Sequence, residues 1–343
     1  VDSKHNNGRY LYSRNNEMKI LVTGGLGLIG HNVVKRLLTQ GHEVMIVDNQ
    51  TSYGIIPRPE LDYLMSERIA KLRGLPYKFV GQDINDALYT DNIFALFKPD
   101  TVIHMASFPR QKVVNANPQL GSRTMSEGLL NLLESSVKHG VTRFTYISSS
   151  MVYGDFSDDV REDYNCRPQG QYGILKLAGE WLVRDYSRKH GIAHTIIRPS
   201  AVYGPLDVED RVISKFMLAA LRGQTLKVNG ASETLDFTYV DDAADGITKA
   251  SVCERAENKT YNITKSHSWS LLDAANLAVS IAGRGQVEVR DRDLDFPSRG
   301  ALNIDAARQD FGFDPQVDVE EGFRRYHQWF LQSPYWQSKI GDK

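Results

Sequence analysis

Cysteine is nearly absent from this chain of 343 residues. Only Cys166 and Cys253 occur, too few for the disulfide framework of a small secreted scaffold and in keeping with a cytosolic, reducing location. No apolar run approaches the roughly 20 residues that span a bilayer, so no membrane partner is expected. An excess of one charge is missing too. Forty-one basic and 42 acidic residues nearly cancel, with no block of like charge, which argues against a nucleic-acid partner and for local recognition of a ligand. Internal repeats and low-complexity linkers are also lacking. No Gly-Lys-Ser/Thr follows the glycines near residue 24, so the lysine and the magnesium-binding hydroxyl of a nucleotide-hydrolysing loop are missing. No metal site is expected. The length suits one large core or two closely associated lobes. Residues 1–17 are polar and aperiodic and Met18 looks like a natural start, so they are expected to be a disordered extension or an expression remnant outside the fold.

What is present begins with residues 21–30, LVTGGLGLIG, which read as strand, tight turn and helix. Glycine is needed where the backbone turns with positive φ, where it approaches a pyrophosphate, and where the helix packs on the strand. Gly24, Gly27 and Gly30 have the spacing for those roles, and the start of the helix, with Leu28 and Ile29, would meet phosphate oxygens. Ile29, Val33, Val34, Leu37 and Leu38 recur at helical spacing, Gly41 ends the helix, and residues 43–48 (EVMIVD) read as a second buried strand ending in an acid. An Asp at this place accepts from the ribose 2′-hydroxyl of NAD and repels the extra phosphate of NADP. Asp48 therefore argues for NAD.

The chain continues in the same alternation. Strands are expected at 77–82, 101–105, 144–147 and 193–198, with a long polar connection after Asp48, a short helix before Asp100, and helices over 118–139 and 170–190. This order implies an α/β fold, a Rossmann-like doubly wound parallel sheet whose ligands bind beyond the strands' carboxyl ends. Those ends carry the glycine loop, Asp48, Asp83, residues 104–107 and Ser148-Ser149-Ser150. After residue 198 the segments shorten: helices over 213–221, 242–251 with an Asp cap, 271–282 and 319–331, and strands over 237–240 and 261–264. The nucleotide-binding domain is placed at 18–198, with later contributions near 236–265, and a smaller α/β lobe, mainly substrate-binding, at 199–343.

Tyr172 and Lys176 stand four apart on one helical face. A free tyrosine, with pKa ~10, is a poor base at neutral pH. A neighbouring ammonium, helped by an oxidised nicotinamide, stabilises the phenolate and lets it exchange a proton with a hydroxyl. Taken together, the G-x-x-G-x-x-G loop, Asp48, Asp83-Ile84, His104-Met105-Ala106, residues 148–154 (SSSMVYG), Tyr172 to Lys176, 198–205 and 236–242 (DFTYVDD) resemble the extended short-chain dehydrogenase/reductase family. Within it the chain is most similar to the NAD-dependent epimerase/dehydratase group acting on nucleotide-linked sugars, over 18–330.

The resemblance implies that Ser149 hydrogen-bonds the reacting hydroxyl, Tyr172 is the acid/base, and Lys176 holds the nicotinamide ribose while tuning Tyr172. NAD would meet Gly24, Gly27, Leu28, Ile29, Asp48, Asn49, Asp83, Ile84, Met105, Ala106, Ser107, Tyr172, Lys176 and Pro199. The substrate would meet Ser149, Ser150, Tyr172, Ala201, Arg211 and Arg299. Departures narrow the reaction. The glutamate that dehydratases carry two positions after the catalytic hydroxyl is here Met151, a thioether that exchanges no proton. An arginine that commonly grips the diphosphate is Leu235, and an asparagine of the substrate site is Ala201. Arg211, Lys215 or Arg299 are candidates for a replacement charge. Cys166, six residues before Tyr172, has no adjacent base or cation pattern and reads as a loop thiol.

The expected activity is C4 epimerisation of a nucleotide sugar through a transient 4-keto sugar, with tightly bound NAD, by a cytoplasmic homodimer. Leu235 and Ala201 favour as alternative an NAD-dependent dehydrogenase or keto-reductase on a substrate without a nucleotide. A non-catalytic NAD-binding scaffold is third, and the presence of Ser149, Tyr172 and Lys176 together argues against it.

Overall fold

The structure, a computed structural model, describes residues 17–341; the expected leader lies outside the described residues except for Glu17. The chain opens with β1 (Lys19–Thr23), α1 (Leu28–Thr39), β2 (Glu43–Val47), α2 (Arg58–Lys71), β3 (Tyr77–Val80), α3 (Ala87–Phe97) and β4 (Thr101–His104). It continues through α4 (Gln111–Ala116), α5 (Pro118–Ser122), α6 (Gly128–Lys138), β5 (Arg143–Ile147), α7 (Gly170–His190) and β6 (Ala193–Pro199). Then follow β7 (Val202–Tyr203), α8 (Val212–Leu221), β8 (Thr225–Asn229), β9 (Thr234–Asp236), β10 (Thr238–Tyr239), α9 (Val240–Val252) and β11 (Lys259–Ile263). The chain closes with β12 (Ser268–Ser270), α10 (Leu271–Ala282), β13 (Gln286–Arg290), α11 (Asp305–Phe311), α12 (Val319–Gln332) and α13 (Pro334–Gly341).

Seven strands form one parallel sheet in the order β11-β6-β5-β4-β1-β2-β3. The α/β doubly wound reading therefore holds. Its central strands are apolar throughout because both faces are covered: Ile20, Leu21 and Val22 are all fully buried. On one face Val33, Val34 and Leu37 of α1 meet Ala244 and Ile247 of α9 and Phe311 at the end of α11. On the other, Phe94 and Phe97 of α3, Leu129, Leu132 and Leu133 of α6 and Val183 of α7 close the core. A separate apolar core, built from α8, β8, α10, α12 and Trp336 of α13, holds the smaller lobe. Strand order reverses between β1 and β4, and the crevice at that switch point faces this second lobe.

Four local expectations need correction. The polar connection after Asp48 contains α2, whose buried face includes Glu60 and Arg68 beside Leu61 and Leu64; charged residues on that face hide its periodicity. The helix over 118–139 is divided, because residues 123–127 make a π-helical turn between α5 and α6. The strand over 237–240 shrinks to β10 as α9 begins at Val240. Asp242 is no cap: its carboxylate accepts the backbone N–H groups of Gln316 at 3.0 Å and Val317 at 2.8 Å, tying α9 to the segment before α12.

The glycine loop is sterically exact in two places. Gly24 has φ +69°, and a Cβ there would stand 2.7 Å from the Ala106 nitrogen. At Gly30 a Cβ would stand 2.2 Å from the Gly24 carbonyl oxygen and 2.9 Å from the Gly25 Cα. Both obstacles are backbone and cannot swing aside. Gly30→Ala is therefore expected to destabilise the fold by about 1–3 kcal/mol despite the better helix propensity of alanine. Urea unfolding of the two proteins checks it, and unchanged stability would show that the loop has slack.

Candidate functional site

A single cavity of about 1060 Å³ opens at the carboxyl ends of the sheet strands and runs into the smaller lobe. That is the upper end of the size of a one-ligand pocket, so it has room for two ligands side by side. Every candidate residue derived from the sequence lines it. The glycine-loop group (Gly24, Gly27, Leu28, Ile29), Asp48 with Asn49, and Asp83 with Ile84 form one end. Met105, Ala106, Ser107 and Pro199 line it too, as do Ser149, Tyr172 and Lys176. Ser150, Ala201, Arg211 and Arg299 belong to the same wall, whereas Cys166 does not.

At the first end, Gly27 precedes α1 without any side-chain cap, which leaves the helix start free to meet anionic oxygens. Asp48 is buried, and burial pushes its carboxyl pKa up. Its two oxygens accept the N–H groups of Leu26 at 2.9 Å and Gln50 at 2.7 Å, so the acid holds the glycine loop against the end of β2. A carboxylate has further lone pairs for ribose hydroxyls. Asn49 donates to Asp83 at 3.0 Å. His104 sits beneath, bonded to the Thr23 hydroxyl at 2.7 Å; burial and the charge of Lys176 hold its pKa at about 3, so it is neutral.

At the centre, Ser149 precedes a short 3₁₀ turn and its hydroxyl accepts the Met151 N–H at 3.2 Å. Burial raises the pKa of Tyr172, while a hydrogen bond with Ser149 and the charge of Arg211 oppose the rise. Lys176 donates to the Ile147 carbonyl at 2.7 Å, and its ammonium lies 5.9 Å from the centre of the Tyr172 ring. Burial lowers its pKa from the ordinary 10.5 to about 7, against the attraction of Glu180. Ser148 is turned away from this group and donates to Glu180 at 2.6 Å.

At the far end, Arg211 lies 3.7 Å from Asp207, and Arg299 is half-buried. Burial first, and the charge of Arg211 second, lower the Arg299 pKa to about 10, with Glu233 opposing. Two guanidiniums that repel one another inside a cavity make a favourable place for a polyanion. Among the described residues, nine buried side-chain polar atoms lack a hydrogen-bond partner. Five of them, on Arg68, Ser107, Gln111, Asp207 and Arg299, belong to the wall of this cavity. These are polar atoms that the fold buries beside the cavity without pairing them. Arg68, Gln111 and Asp207 escaped the sequence reading: the first lies on the unrecognised α2, and the others carry no motif.

A family model described as the NAD dependent epimerase/dehydratase family matches residues 20–264. The chain belongs to that family. An uncharacterised UDP-glucose epimerase of Bacillus subtilis is 29% identical over 311 residues, covering 89% of this chain and 95% of that protein. A dTDP-glucose 4,6-dehydratase of Escherichia coli is 27% identical over 359 residues, covering 95% and 97%. Among solved structures, the UDP-glucuronic acid 4-epimerase of Bacillus cereus, in complex with UDP-glucuronic acid and NAD, superposes with TM-score 0.84 at 26% identity, over 92% of this chain and 99% of that one. Epimerases and dehydratases are thus both relatives of this member of the family.

Its departures are visible in the wall. Met151 is buried where dehydratases carry an acid. Leu235 of β9 pairs with Trp269 of β12 and presents no charge to the cavity. Ala201 adopts φ +38°, a conformation that asparagine tolerates better than alanine.

Lys176 makes a pH dependence testable. Between pH ~7 and ~10 an unfolded lysine keeps a proton that the folded one has lost. The unfolded state then binds more protons, so stability rises with pH across that interval. The stability of the unmodified protein relative to Lys176→Met, measured by urea unfolding at pH 7 and pH 9, is expected to increase at the higher pH. An unchanged difference would mean that the ammonium keeps an ordinary pKa.

Proposed function

We propose that the protein is a nucleotide-sugar epimerase that inverts C4 of its sugar and retains NAD through turnover. The observation that carries this reading is the clustering of Ser149, Tyr172 and Lys176 in the wall of one cavity whose two ends differ: a glycine loop with Asp48 at one, and Arg211 with Arg299 at the other. The first end fits NAD, since its helix start is uncapped and a Cβ at Gly24 or Gly30 would meet backbone. The second fits a diphosphate, which would relieve the repulsion between the guanidiniums and take the place of the charge missing at Leu235.

In this reading NAD supplies reversible hydride chemistry at C4. The chain's own residues manage the proton and the orientation. Tyr172, hydrogen-bonded to Ser149, takes the proton of the C4 hydroxyl, and Ser149 holds that oxygen. Lys176 stabilises the phenolate, and with its pKa at about 7 it is poised to share a proton near neutrality. The sugar then turns in the cavity and Tyr172 returns the proton. Met151, next to Ser150, offers no acid or base to eliminate water, which favours epimerisation over dehydration. Ile174 and Trp181 lie on one face of α7 and are 52% and 65% exposed; with Leu120 of α5 they support a homodimer packed through these helices. Cys166 and Cys253, both free, support a cytosolic location.

The alternative favoured by Leu235 and Ala201 is a net dehydrogenase or keto-reductase acting on a substrate without a nucleotide. One experiment separates the two. Dialysed protein is denatured, its nicotinamide is identified by chromatography, and turnover of UDP- and dTDP-sugars is measured without added cofactor, beside Tyr172→Phe. Near-stoichiometric NAD and turnover that falls by about 10²–10⁴-fold in the variant are expected. Protein that emerges empty and needs NAD in every cycle would overturn the retaining epimerase, and a fully active Tyr172→Phe would remove the acid/base assignment.

A further inference from the structure

Three cations share one carboxylate where the two lobes meet in the cavity wall. Asp210 stands two residues before α8 of the smaller lobe, and Arg110 reaches it from the sheet side as the residue that precedes α4. The Arg110 guanidinium donates to both the carbonyl and the carboxylate of Asp210. Lys215, near the start of α8, pairs with the same carboxylate, and the Lys112 ammonium lies 4.0 Å from it. Burial would raise the Asp210 carboxyl pKa, yet the hydrogen bond from Lys215 and the charges of Arg110, Lys215 and Lys112 hold it below the usual range. The group keeps an excess of positive charge.

Its neighbours place the group within the cavity. Arg211, next in the chain, is one of the two guanidiniums that fit the diphosphate, and its charge acts on Tyr172 as well as on Arg110 and Arg299. On the other side Phe108, two residues before Arg110, packs in one apolar cluster with Met151 and Tyr172. The cations are thus tied to the diphosphate site and to the acid/base, and a sugar spans that interval. Arg110, Lys112 and Lys215 all line the cavity, and the two lysine side chains are 69% and 52% exposed, which leaves ammonium donors open to a ligand. The charge balance points the same way. The smaller lobe brings six cations and five acids to the wall, and Arg110 with Lys112 makes eight cations against five acids. A diphosphate carries two negative charges, so room remains for a third.

We propose that Arg110 and Lys215, gathered around Asp210, are specificity-determining residues that read an anionic group on the sugar, so that the substrate class is a nucleotide-linked uronic acid. The inference rests on the nucleotide-sugar reading above and names the class of sugar. A carboxylate accepts charge-assisted hydrogen bonds from a guanidinium fork and an ammonium, and these are roughly twice as strong as those to a neutral hydroxyl. Asp210 holds the cations together and competes with the sugar carboxylate for them. Removing its charge should therefore favour the anionic sugar.

The test is calorimetric binding of UDP, UDP-glucose and UDP-glucuronic acid, and of the dTDP counterparts, to the NAD-loaded protein. Within the nucleotide series that binds, the wild type is expected to hold the uronic acid roughly tenfold more tightly than the neutral sugar, and the margin should shrink as salt is raised. Arg110→Met should weaken the uronic acid by about tenfold and leave the affinity for the nucleotide alone and the NAD content unchanged. Asp210→Asn should widen the margin between the two sugars, an effect that a purely structural cluster would not produce, and it serves if Arg110→Met does not fold. Equal affinity for the two sugars, a preference for the neutral one, or a margin that narrows in Asp210→Asn would each overturn the proposal. So would a loss in Arg110→Met shared by the nucleotide alone, which would assign the cluster to the diphosphate. Retained NAD and turnover without a preference for the uronic acid sink this inference alone; protein that binds none of these nucleotides sinks the nucleotide-sugar reading and the inference with it.

Discussion

The buried ion pair between Glu180 and Arg198 keeps the parts of the site in register. Arg198, in β6, meets both carboxylate oxygens of Glu180, at 2.8 and 2.7 Å, and Ser148 at the end of β5 donates to the same group. Glu180 has no exposed surface, and Arg198 retains only 3%. Burial alone would raise the carboxyl pKa, yet the hydrogen bonds and charge of Arg198 hold it below the usual range. Charges taken this far from water are tolerated only with nearly complete pairing, and that requirement leaves the helix little freedom. Glu180 lies one turn beyond Lys176 and two beyond Tyr172 on α7. Rotating α7 by one residue, about 100°, would strand the pair and also swing the phenol away from Ser149. Arg198 extends the constraint through Tyr153, at 2.9 Å, to Asn262 of β11, at 2.7 Å. Three sheet strands and one helix thus share a single charged joint behind the cavity.

A second joint links the two lobes. Arg68, on α2, is buried and donates to the carbonyls of Leu26, within the glycine loop, and Leu206, at the start of the segment that bears Asp207 and Arg211. Burial lowers its pKa to about 10, while Asp207 and Asp48 draw it back toward the ionised form. One guanidinium therefore spans both ends of the cavity. Around it, Leu61 and Leu64 pack with Ile56 and Leu206, and Tyr63 bonds Ser333 at 2.7 Å and stacks on Tyr335. The helix that the hydrophobic pattern concealed is the element that seats the smaller lobe on the sheet.

The departures from the family's usual residues leave the glycine loop untouched. Gly24, Gly27, Gly30, Asp48 and Asp83 are retained, the departures are Met151, Ala201 and Leu235, and all of them line the same cavity. Met151 brings no ionisable group to the cavity and Leu235 no charge, while Arg211 and Arg299 line it. Neither change disturbs the frame, because β9 keeps its pairing with β12 through backbone groups alone. Variation of a cavity's lining on a constant scaffold is what such a fold permits.

The sequence by itself determined the sheet, its parallel order and the family. Continuous apolar strands alternating with amphipathic helices admit few other arrangements, and the glycine loop marks a backbone geometry that only glycine fits. It also named the residues that line one end of the cavity and its centre, since each stands in a motif of fixed spacing. It did not disclose the buried hydrogen-bond partners of Arg68, Glu180 and Gln111. Their roles depend on partners 42 and 138 residues away for Arg68, 18 for Glu180 and 184 for Gln111. No local pattern encodes such pairs, because burial and hydrogen-bond completion are properties of the packed chain. Only the tertiary structure could decide which buried polar atoms were satisfied by the fold and which were left unpaired.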